Sequence, residues 1–374
     1  MNYLHTPTET KSIAFFMPSF GGGGAERVLI DLANEFASRG FKVHMVIANS
    51  CGPYRTQMSN SVDLINLRCS RVLLCLMPLI FYLRKERPDV MLSAQSHCNV
   101  IALLAKRLSG VKTRLVVSEH SVISRLLRLE SNRLRTLLSA LMRWTYPWAN
   151  GVVAVSRGAA DDLATTIHYP LQNIKVIYNP INLPKIQLMS NEFFDHPWFV
   201  DDAPLVILGV GRLSIEKDFD TLIRAFAELR AKCSTRLVIL GEGELRPRLK
   251  ILINELKLSA DIEMPGFVQN PYVYMRHGAL LVLSSSFEGF GNVLVEAMCC
   301  GMKVLSTFSK GCGPIEILEN GKWGRLVPEG DVNAMCNAML DALHECTSPN
   351  VVDRAREFSL DKATEDYRKI LFEE

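Results

Sequence analysis

The chain alternates between short apolar runs and longer stretches in which apolar residues recur every three or four positions. Ile13–Met17 is a continuous apolar run of strand length. Ala25–Ser38 then places Val28, Leu29, Leu32, Ala33 and Phe36 on one helical face, with Gly40 as its stop. Val43–Ala48 reads as a second strand. The alternation continues through Asp89–Ala94 and Val100–Leu108, Thr113–Ser118 and Val122–Trp144, Gly151–Ser156 and Gly158–Ile167, and ends on the strand Ile174–Tyr178. Strand–helix units of this length predict a parallel, doubly wound sheet.

Asn179–Pro204 breaks the pattern. It holds Pro180, Pro184, Pro197 and Pro204 with little periodicity and reads as a linker. The alternation then restarts with strands Leu205–Val210, Arg236–Gly241, Ile262–Met264, Leu280–Leu283 and Lys303–Thr307. Between and after them run helices Asp220–Lys232, Leu245–Leu256 and Val332–His344, and the tail from Val351 is helical and charged. A length of 374 residues is long for one core and comfortable for two. The expected architecture is α/β: two Rossmann-like, doubly wound parallel-sheet domains, residues 1–183 and 184–356, with 357–374 as a C-terminal helix able to return to the first domain. A ligand cleft is expected between the carboxyl ends of the two sheets.

The densest candidate chemistry lies at 282–301. The strand Leu280–Leu283 runs into three serines and then a glycine-punctuated loop, Phe287-Glu288-Gly289-Phe290-Gly291-Asn292. Val293–Met298 follows as the first turns of a buried helix, stopped by Gly301. Loop glycines let backbone N–H groups approach a ligand, and a helix N-terminus carries partial positive charge, so the segment suits a phosphate. Glu288 in the loop and Glu296 one turn into the helix offer only acceptors, which suit the neutral hydroxyls of a sugar or ribose. Some 70 residues earlier, Gly209-Val210-Gly211-Arg212-Leu213-Ser214-Ile215-Glu216-Lys217-Asp218 follows a strand directly. Arg212 and Lys217 at that strand's carboxyl end would neutralise a diphosphate, above all as the bond to it breaks.

The first glycine loop, Gly21-Gly22-Gly23-Gly24, does not continue as a dinucleotide fingerprint. After Gly22 and Gly24 the third glycine position is Arg27, and the second strand ends at Ala48-Asn49 without an acid for a ribose hydroxyl. This disfavours a nicotinamide dehydrogenase. Four glycines exceed what a tight turn needs and let the loop lie close to a ligand. Asp218-Phe219-Asp220 matches the D-x-D pattern of metal-dependent transferases, but Asp220, before Thr221-Leu222-Ile223, is explained as a helix N-cap or first-turn acid. His120 ends a strand at the cleft face among small polar residues.

The string E-G-F-G-N-V-L-V-E-A-M resembles the E-x7-E signature of retaining family 4 glycosyltransferases of the GT-B fold. G-G-G-A-E-R at the first helix and G-R-L-x-x-E-K-D after Val210 are similar to that family's motifs. So are Gly241-Glu242-Gly243, the stretch from Gly313-Pro314-Ile315-Glu316-Ile317-Leu318 to Pro328, and the turn Asn179-Pro180. Ile315 departs from the small or polar residue often found at its position. The resemblance covers nearly the whole chain, weakest at 50–90 and 185–204. It implies a nucleotide-diphosphate sugar donor, UDP-linked, held by Gly22, Gly23, Gly24, Gly211, Arg212, Lys217, Glu288, Phe290, Gly291, Asn292, Val293 and Glu296. His120, Glu288, Arg212 and Lys217 would be the catalytic group. Glu288 would meet hydroxyls of the donor sugar, Glu296 the ribose, and His120 the sugar near its reacting carbon. The family's mechanism is described as front-face return without a covalent intermediate, and whether Glu288 is a nucleophile or an orienting group stays open. No metal and no other cofactor is required on this reading.

Two further readings belong to other classes. A GT-B-like protein could bind a nucleotide sugar without turnover. A glycosidase would need Glu288 and Glu296 to flank one bond, about 5–10 Å apart, whereas a loop acid and a helix acid beside a phosphate site suggest two ends of one nucleotide sugar.

Charge adds one feature. Arg68–Arg143 holds fourteen Lys/Arg against four Asp/Glu, a surplus of ten, within a chain whose net charge is +3. Val122–Trp144 places Val122, Leu126, Leu129, Leu137, Leu141 and Trp144 on one broad helical face, with Arg125, Arg128, Arg133, Arg135 and Arg143 around it. That is either a core helix with solvated arginines or an interfacial helix on anionic lipid. With the resemblance it suggests a polyprenyl-pyrophosphate-linked or other lipid-linked glycan acceptor at an anionic membrane surface, in lipopolysaccharide or O-antigen-type biosynthesis, and no nucleic acid. The N-terminus shows no signal peptide. The longest apolar run, Val72–Leu83, is twelve residues and includes Pro78, short of the roughly 20 that span a bilayer. Ten cysteines without C-x-x-C spacing read as buried thiols of a reducing compartment. The expected location is cytoplasmic, peripheral to the inner face of the membrane.

Overall fold

The structure, a computed structural model, describes residues 11–128, 131–200, 202–308, 313–345 and 349–372. Its elements run β1 (Ser12–Met17), α1 (Gly24–Ser38), β2 (Lys42–Ile47), β3 (Val62–Asn66), α2 (Leu76–Glu86), β4 (Val90–Ala94), α3 (Ser96–Ser109), β5 (Arg114–Glu119), α4 (Ile123–Arg128), α5 (Asn132–Thr145), β6 (Gly151–Ala154), α6 (Arg157–Ile167) and β7 (Ile174–Val176). Then follow α7 (Leu183–Ser190), β8 (Leu205–Val210), α8 (Phe219–Arg230), β9 (Thr235–Leu240), α9 (Arg246–Glu255), β10 (Ile262–Gly266), α10 (Tyr272–His277), β11 (Leu280–Leu283), α11 (Asn292–Cys299), β12 (Lys303–Phe308), α12 (Gly313–Ile317), β13 (Arg325–Pro328), α13 (Val332–His344), α14 (Val351–Ala355) and α15 (Leu360–Phe372).

Contacts divide the chain into two units. One runs through Val155 and takes in Ala160–Pro180 and the segment from Leu360; the other comprises Ser156–Ala159 and Ile181–Ser359. The first is built on a seven-stranded sheet in the order β3-β2-β1-β4-β5-β6-β7, the second on a six-stranded sheet in the order β10-β9-β8-β11-β12-β13. Among the described residues every strand pairing is parallel. Both units are the doubly wound α/β architecture expected from the alternation.

Parallel strands are covered on both faces, which is why β1, β4, β8 and β11 read as continuous apolar runs. In the first unit Phe15, Leu92 and Val116 from the sheet pack with Phe36 of α1 and with Ala363, Tyr367 and Leu371 of α15. The second core gathers Ile207, Leu280 and Leu305 with Leu222, Phe226 and Met339.

The structure departs from the sequence reading at several elements. The segment expected to be a linker contains α7, because Asn182 caps it by accepting from Lys185 N at 3.1 Å and Pro184 stands in its first turn, where no N–H is needed. Phe194, His196 and Phe199 then pack with Tyr274 of α10. Val122–Trp144 is two helices rather than one, since Ser131 caps α5 and restarts the turn. Of the face assigned to it, Val122 is buried, Leu141 half-buried and Leu126, Leu137 and Trp144 exposed, while Leu129 lies outside what is described, as does the side chain of Arg133 beside the face. The edge strands β3 and β13 and the helices α2 and α10 have no counterpart in the sequence reading. Among the described cysteines Cys51 is exposed and Cys233 half-buried, which corrects the expectation of uniformly buried thiols; Cys312 and Cys346 lie outside the described residues, as do residues 1–10. Among the described residues no helix is long and apolar enough to cross a membrane.

Candidate active site

In the second unit the winding reverses between β8 and β11, the position where loops at the carboxyl ends of a doubly wound sheet diverge and admit a ligand. The loops after these two strands carry Arg212 and Lys217 on one side and Glu288 on the other. They are knitted together by Ser284 Oγ donating to Lys217 O (2.8 Å) and Ser286 N donating to Glu216 O (2.8 Å). Lys217 Nζ donates to Glu288 Oε1, and Ser285 Oγ donates to the same oxygen at 2.7 Å. The two charged side chains are 22% and 15% exposed, so the pair is sheltered yet open to solvent. Arg212 stands on the same loop with its side chain exposed.

The next residues form the start of α11. Phe290 is buried, and Gly291, at φ +104°, carries no capping side chain over the helix start. Asn292 and Val293 are half-buried there, and Glu296 is buried in the second turn. Gly313 closes against the loop from behind: its N donates to Glu288 O at 3.2 Å, and a Cβ on it would lie 2.4 Å from Phe290 Cα. The unit thus brings a Lys–Glu pair, an exposed guanidinium and the positive end of a helix to one sheet edge. Such a set can hold an anion and hydrogen-bond hydroxyl groups beside it.

Asp218 and Asp220 have internal partners. Asp218 is the N-cap of α8, accepting from Thr221 N (3.3 Å) and Thr221 Oγ1 (2.7 Å). Asp220 sits in the first turn and pairs with Arg224 (3.0 Å) and Arg248 (2.9 Å). Asp220 thus takes the second of the two roles expected for it, first-turn acid, and the capping role falls to Asp218, two residues earlier.

In the first unit the winding reverses between β1 and β4. The four-glycine loop follows β1, and Gln95 follows β4. Between them lies Glu26, buried in the first turn of α1 and accepting from Gln95 Nε2 at 3.0 Å. A Cβ on Gly23 would lie 2.4 Å from Glu26 Oε2, so that glycine makes room for the chain's own carboxylate. Gly22 and Gly24 are exposed.

His120 follows β5, with Nε2 3.1 Å from Ser118 Oγ, which in turn lies 3.2 Å from Tyr367 OH of α15. Burial lowers its pKa to about 4, with Asn179 opposing the shift, so the ring is neutral near pH 7. Glu119, its neighbour, is buried and accepts from Ser96 Oγ (3.0 Å), Asn99 Nδ2 (3.0 Å) and the Tyr146 hydroxyl. Burial raises its carboxyl to about 7 against the pull of those three donors. Glu26, Gln95 and Glu119 were not found from sequence as members of this edge. Glu26 lies inside G-G-G-A-E-R and Glu119 directly precedes His120, but nothing local marks either as buried, and nothing marks Gln95.

The two neighbouring groups load the fold with opposite pH dependences. Glu119, raised from 4.5, gives its contribution in full below pH 4.5 and loses it as pH climbs to about 7. His120, lowered from 6.5, gives its contribution above pH 6.5 and loses it as pH falls to about 4. Each is on the order of 3 kcal/mol over its window, at about 1.4 kcal/mol per pH unit. Glu119→Gln is therefore expected to unmask an acid-sensitive slope between these limits, and His120→Gln an alkali-sensitive one. Urea midpoints measured against pH check this. Parallel profiles for the unmodified chain and Glu119→Gln would contradict it.

Comparison with known proteins gives two family matches along the chain. Residues 22–185 match the model described as Glycosyltransferase Family 4, and residues 190–357 that of Glycosyl transferases group 1. A Campylobacter jejuni N-acetylgalactosamine-N,N'-diacetylbacillosaminyl-diphospho-undecaprenol 4-alpha-N-acetylgalactosaminyltransferase is 31% identical, over 96% of this chain and 99% of its own length. The amylovoran biosynthesis glycosyltransferase AmsD of Erwinia amylovora is 27% identical over 86% of each chain. Among solved structures, Anabaena HepE in complex with UDP and glucose superposes with a TM-score of 0.78 at 21% identity, covering 96% of this chain and 98% of that one. Sucrose-phosphate synthase from Thermosynechococcus elongatus does so with a TM-score of 0.81 at 18% identity, covering 96% and 98%.

Proposed function

Because this chain belongs to the family 4 glycosyltransferases of the GT-B fold, we propose that it transfers a hexose or N-acetylhexosamine from a UDP-linked sugar to a polyprenyl-diphosphate-linked glycan in surface-polysaccharide assembly, with retention at the anomeric carbon. The observation that carries the reading is the Lys217–Glu288 pair where the winding of the second sheet reverses. In the reaction the bond from the sugar's C1 to the diphosphate oxygen breaks and its electron pair stays on the diphosphate. The acceptor oxygen bonds to C1 and its proton passes to the departing diphosphate. Lys217, Arg212 and the backbone of Gly291, Asn292 and Val293 meet the charge that develops. Glu288 orients the sugar hydroxyls, Glu296 holds the ribose, and neutral His120 serves the sugar near its reacting carbon by hydrogen bonding, with no charge of its own.

The choice of partners draws support from the relatives. Two C. jejuni enzymes, 31% and 25% identical, carry undecaprenol diphosphate-linked acceptors in their names, and HepE was crystallised with UDP and glucose. The positive surplus of Arg68–Arg143, together with exposed Leu126, Leu137 and Trp144, supports an anionic membrane surface as the place of reaction. Two cations and a helix start supply the charge a metal would, and Asp218 and Asp220 are committed to α8 and its neighbours.

UDP release from a panel of UDP-sugars, with and without a lipid-linked glycan, tests the reading. Release stimulated by the acceptor and unaffected by excess EDTA is expected. Binding of UDP-sugar without release for any acceptor would leave a binding protein. A rate that disappears in EDTA and returns only with Mn²⁺ or Mg²⁺ would overturn the metal-free reading.

A further inference from the structure

The apolar run Val72–Leu83 is too short to span a bilayer, and the fold buries only half of it. Cys75, in the turn before α2, and Leu79, Ile80 and Leu83 of α2 are buried, and α2 packs against α3. On the opposite side Leu73, Leu74, Met77 and Phe81 are 68%, 59%, 55% and 62% exposed. Leu74, Met77 and Phe81 stand at i, i+3 and i+7, and Leu73 precedes them in the 3₁₀ turn Val72–Cys75, so the four form one stripe along about two turns. Single exposed apolar residues are ordinary on any protein, but four large ones in one stripe are not.

Charge around the stripe indicates what covers it. No Asp or Glu occurs from Leu64 to Lys85. Exposed Arg68 and Arg71 precede the stripe, and exposed Arg84 and Lys85 follow it. Right-handed crossovers place α2, α3 and α5 on the same face of the first sheet, and α3 packs against both of the others. That face therefore also presents the exposed side chains of Leu134, Leu137, Arg135, Arg143 and Trp144 on α5. A second protein would meet a cationic rim that Glu86, paired with Lys85 at 3.5 Å, offsets at one point only, whereas anionic lipid matches both the rim and the apolar stripe.

We infer that the stripe Leu73, Leu74, Met77 and Phe81 inserts into the headgroup–acyl boundary of an anionic bilayer, lying in the membrane plane while the flanking arginines and lysine rest on the phosphates. This rests on the membrane reading above and deepens it. Attachment then has two components: a basic one on α4–α5 that salt weakens, and an apolar one on α2 that salt leaves in place.

The test is co-sedimentation with phosphatidylcholine vesicles and with vesicles containing about one third phosphatidylglycerol, at low salt and at roughly 0.5 M salt. The chain is expected on the anionic vesicles, with a fraction retained at high salt. Replacing Leu73, Leu74, Met77 and Phe81 by Ser should abolish the retained fraction and lower partitioning at low salt by roughly tenfold or more. The double change Met77→Ser/Phe81→Ser should do the same to a smaller degree, and UDP-sugar binding by both variants checks their folding. Replacing Arg125, Arg128, Arg135 and Arg143 by Gln should instead weaken the low-salt component. Sedimentation of the Ser variants equal to that of the unmodified chain, with the Gln variant impaired, would overturn the insertion and leave a purely electrostatic membrane reading standing. No sedimentation of the unmodified chain on either vesicle would remove both. A stripe whose loss converts a dimer to a monomer in light scattering, with vesicle binding unchanged, would assign it to a second copy of the chain and overturn the inference.

Discussion

Lys217→Ala is expected to lower kcat by about thirty- to several hundredfold at saturating UDP-sugar, equivalent to 2–4 kcal/mol of lost charge stabilisation at a leaving group. The effect on acceptor KM should be small, because nothing assigned to the acceptor touches this loop. The role proposed for Lys217 draws on its backbone as well as its charge: Ser284 Oγ holds its carbonyl, and its ammonium sits on Glu288, the acid proposed to meet the sugar. Alanine also leaves Glu288, among the described residues, with Ser285 as its remaining side-chain donor in a sheltered position, which costs stability in its own right. Lys217→Arg separates the two effects, since it restores a cation to Glu288 while changing the geometry offered to a diphosphate. Recovery of thermal stability with only partial recovery of kcat is the expected pattern. An unchanged kcat for Lys217→Ala would remove the residue from the site.

Gly241→Ala is expected to be the most disruptive single-methyl change in the second unit, at roughly 2–5 kcal/mol. Two mechanisms add. The residue has φ +142°, a conformation costing about 1–2 kcal/mol with a side chain. Its Cβ would also lie 1.9 Å from Gly211 O, and forced overpacking typically costs another 1–3 kcal/mol. The consequence reaches the site because the loop after β9 braces the loop after β8: Gly211 N donates to Leu240 O (3.0 Å) and Leu213 N to Glu242 O (2.9 Å). Gly243 makes a similar approach, with a Cβ falling 2.3 Å from Leu213 O. Denaturant midpoints should drop, and UDP affinity should fall in whatever protein remains folded as Arg212 and Lys217 are displaced. Unchanged midpoint and unchanged UDP affinity would show that the loops yield at little cost.

What the sequence reveals follows from how parallel sheets are made. Strands buried on both faces leave continuous apolar runs such as Leu205–Val210 and Leu280–Leu283, and the loops that follow them stand at the ligand-binding edge by topology. Arg212, Lys217 and Glu288 were therefore locatable. Elements with weaker patterns were not. β3 exposes Asp63 and Asn66 at a sheet edge, and α7 hides behind a proline that reads as a breaker until Asn182 is recognised as its cap. Glu119 and Glu26 are polar residues whose significance lies in being buried, which depends on Tyr146, Asn99 and Gln95 arriving from distant elements. The requirement for Gly241 is likewise a backbone collision between loops some thirty residues apart, visible only in three dimensions. The apolar run Val72–Leu83 was visible but ambiguous, because sequence does not say which half of a short apolar helix the fold leaves uncovered.

The proposed reaction moves a sugar from UDP to a polyprenyl-diphosphate-linked glycan with its anomeric configuration kept. Its most direct measurement is the product itself: the purified chain is incubated with the UDP-linked α-sugar that gives UDP release and a polyprenyl-diphosphate-linked oligosaccharide, and the glycan is then analysed by mass spectrometry and NMR. The expected result is a gain of one sugar residue, stoichiometric with UDP formed, joined through an α-linkage. A β-linked product, or UDP formed with free sugar and no extended glycan, would contradict it.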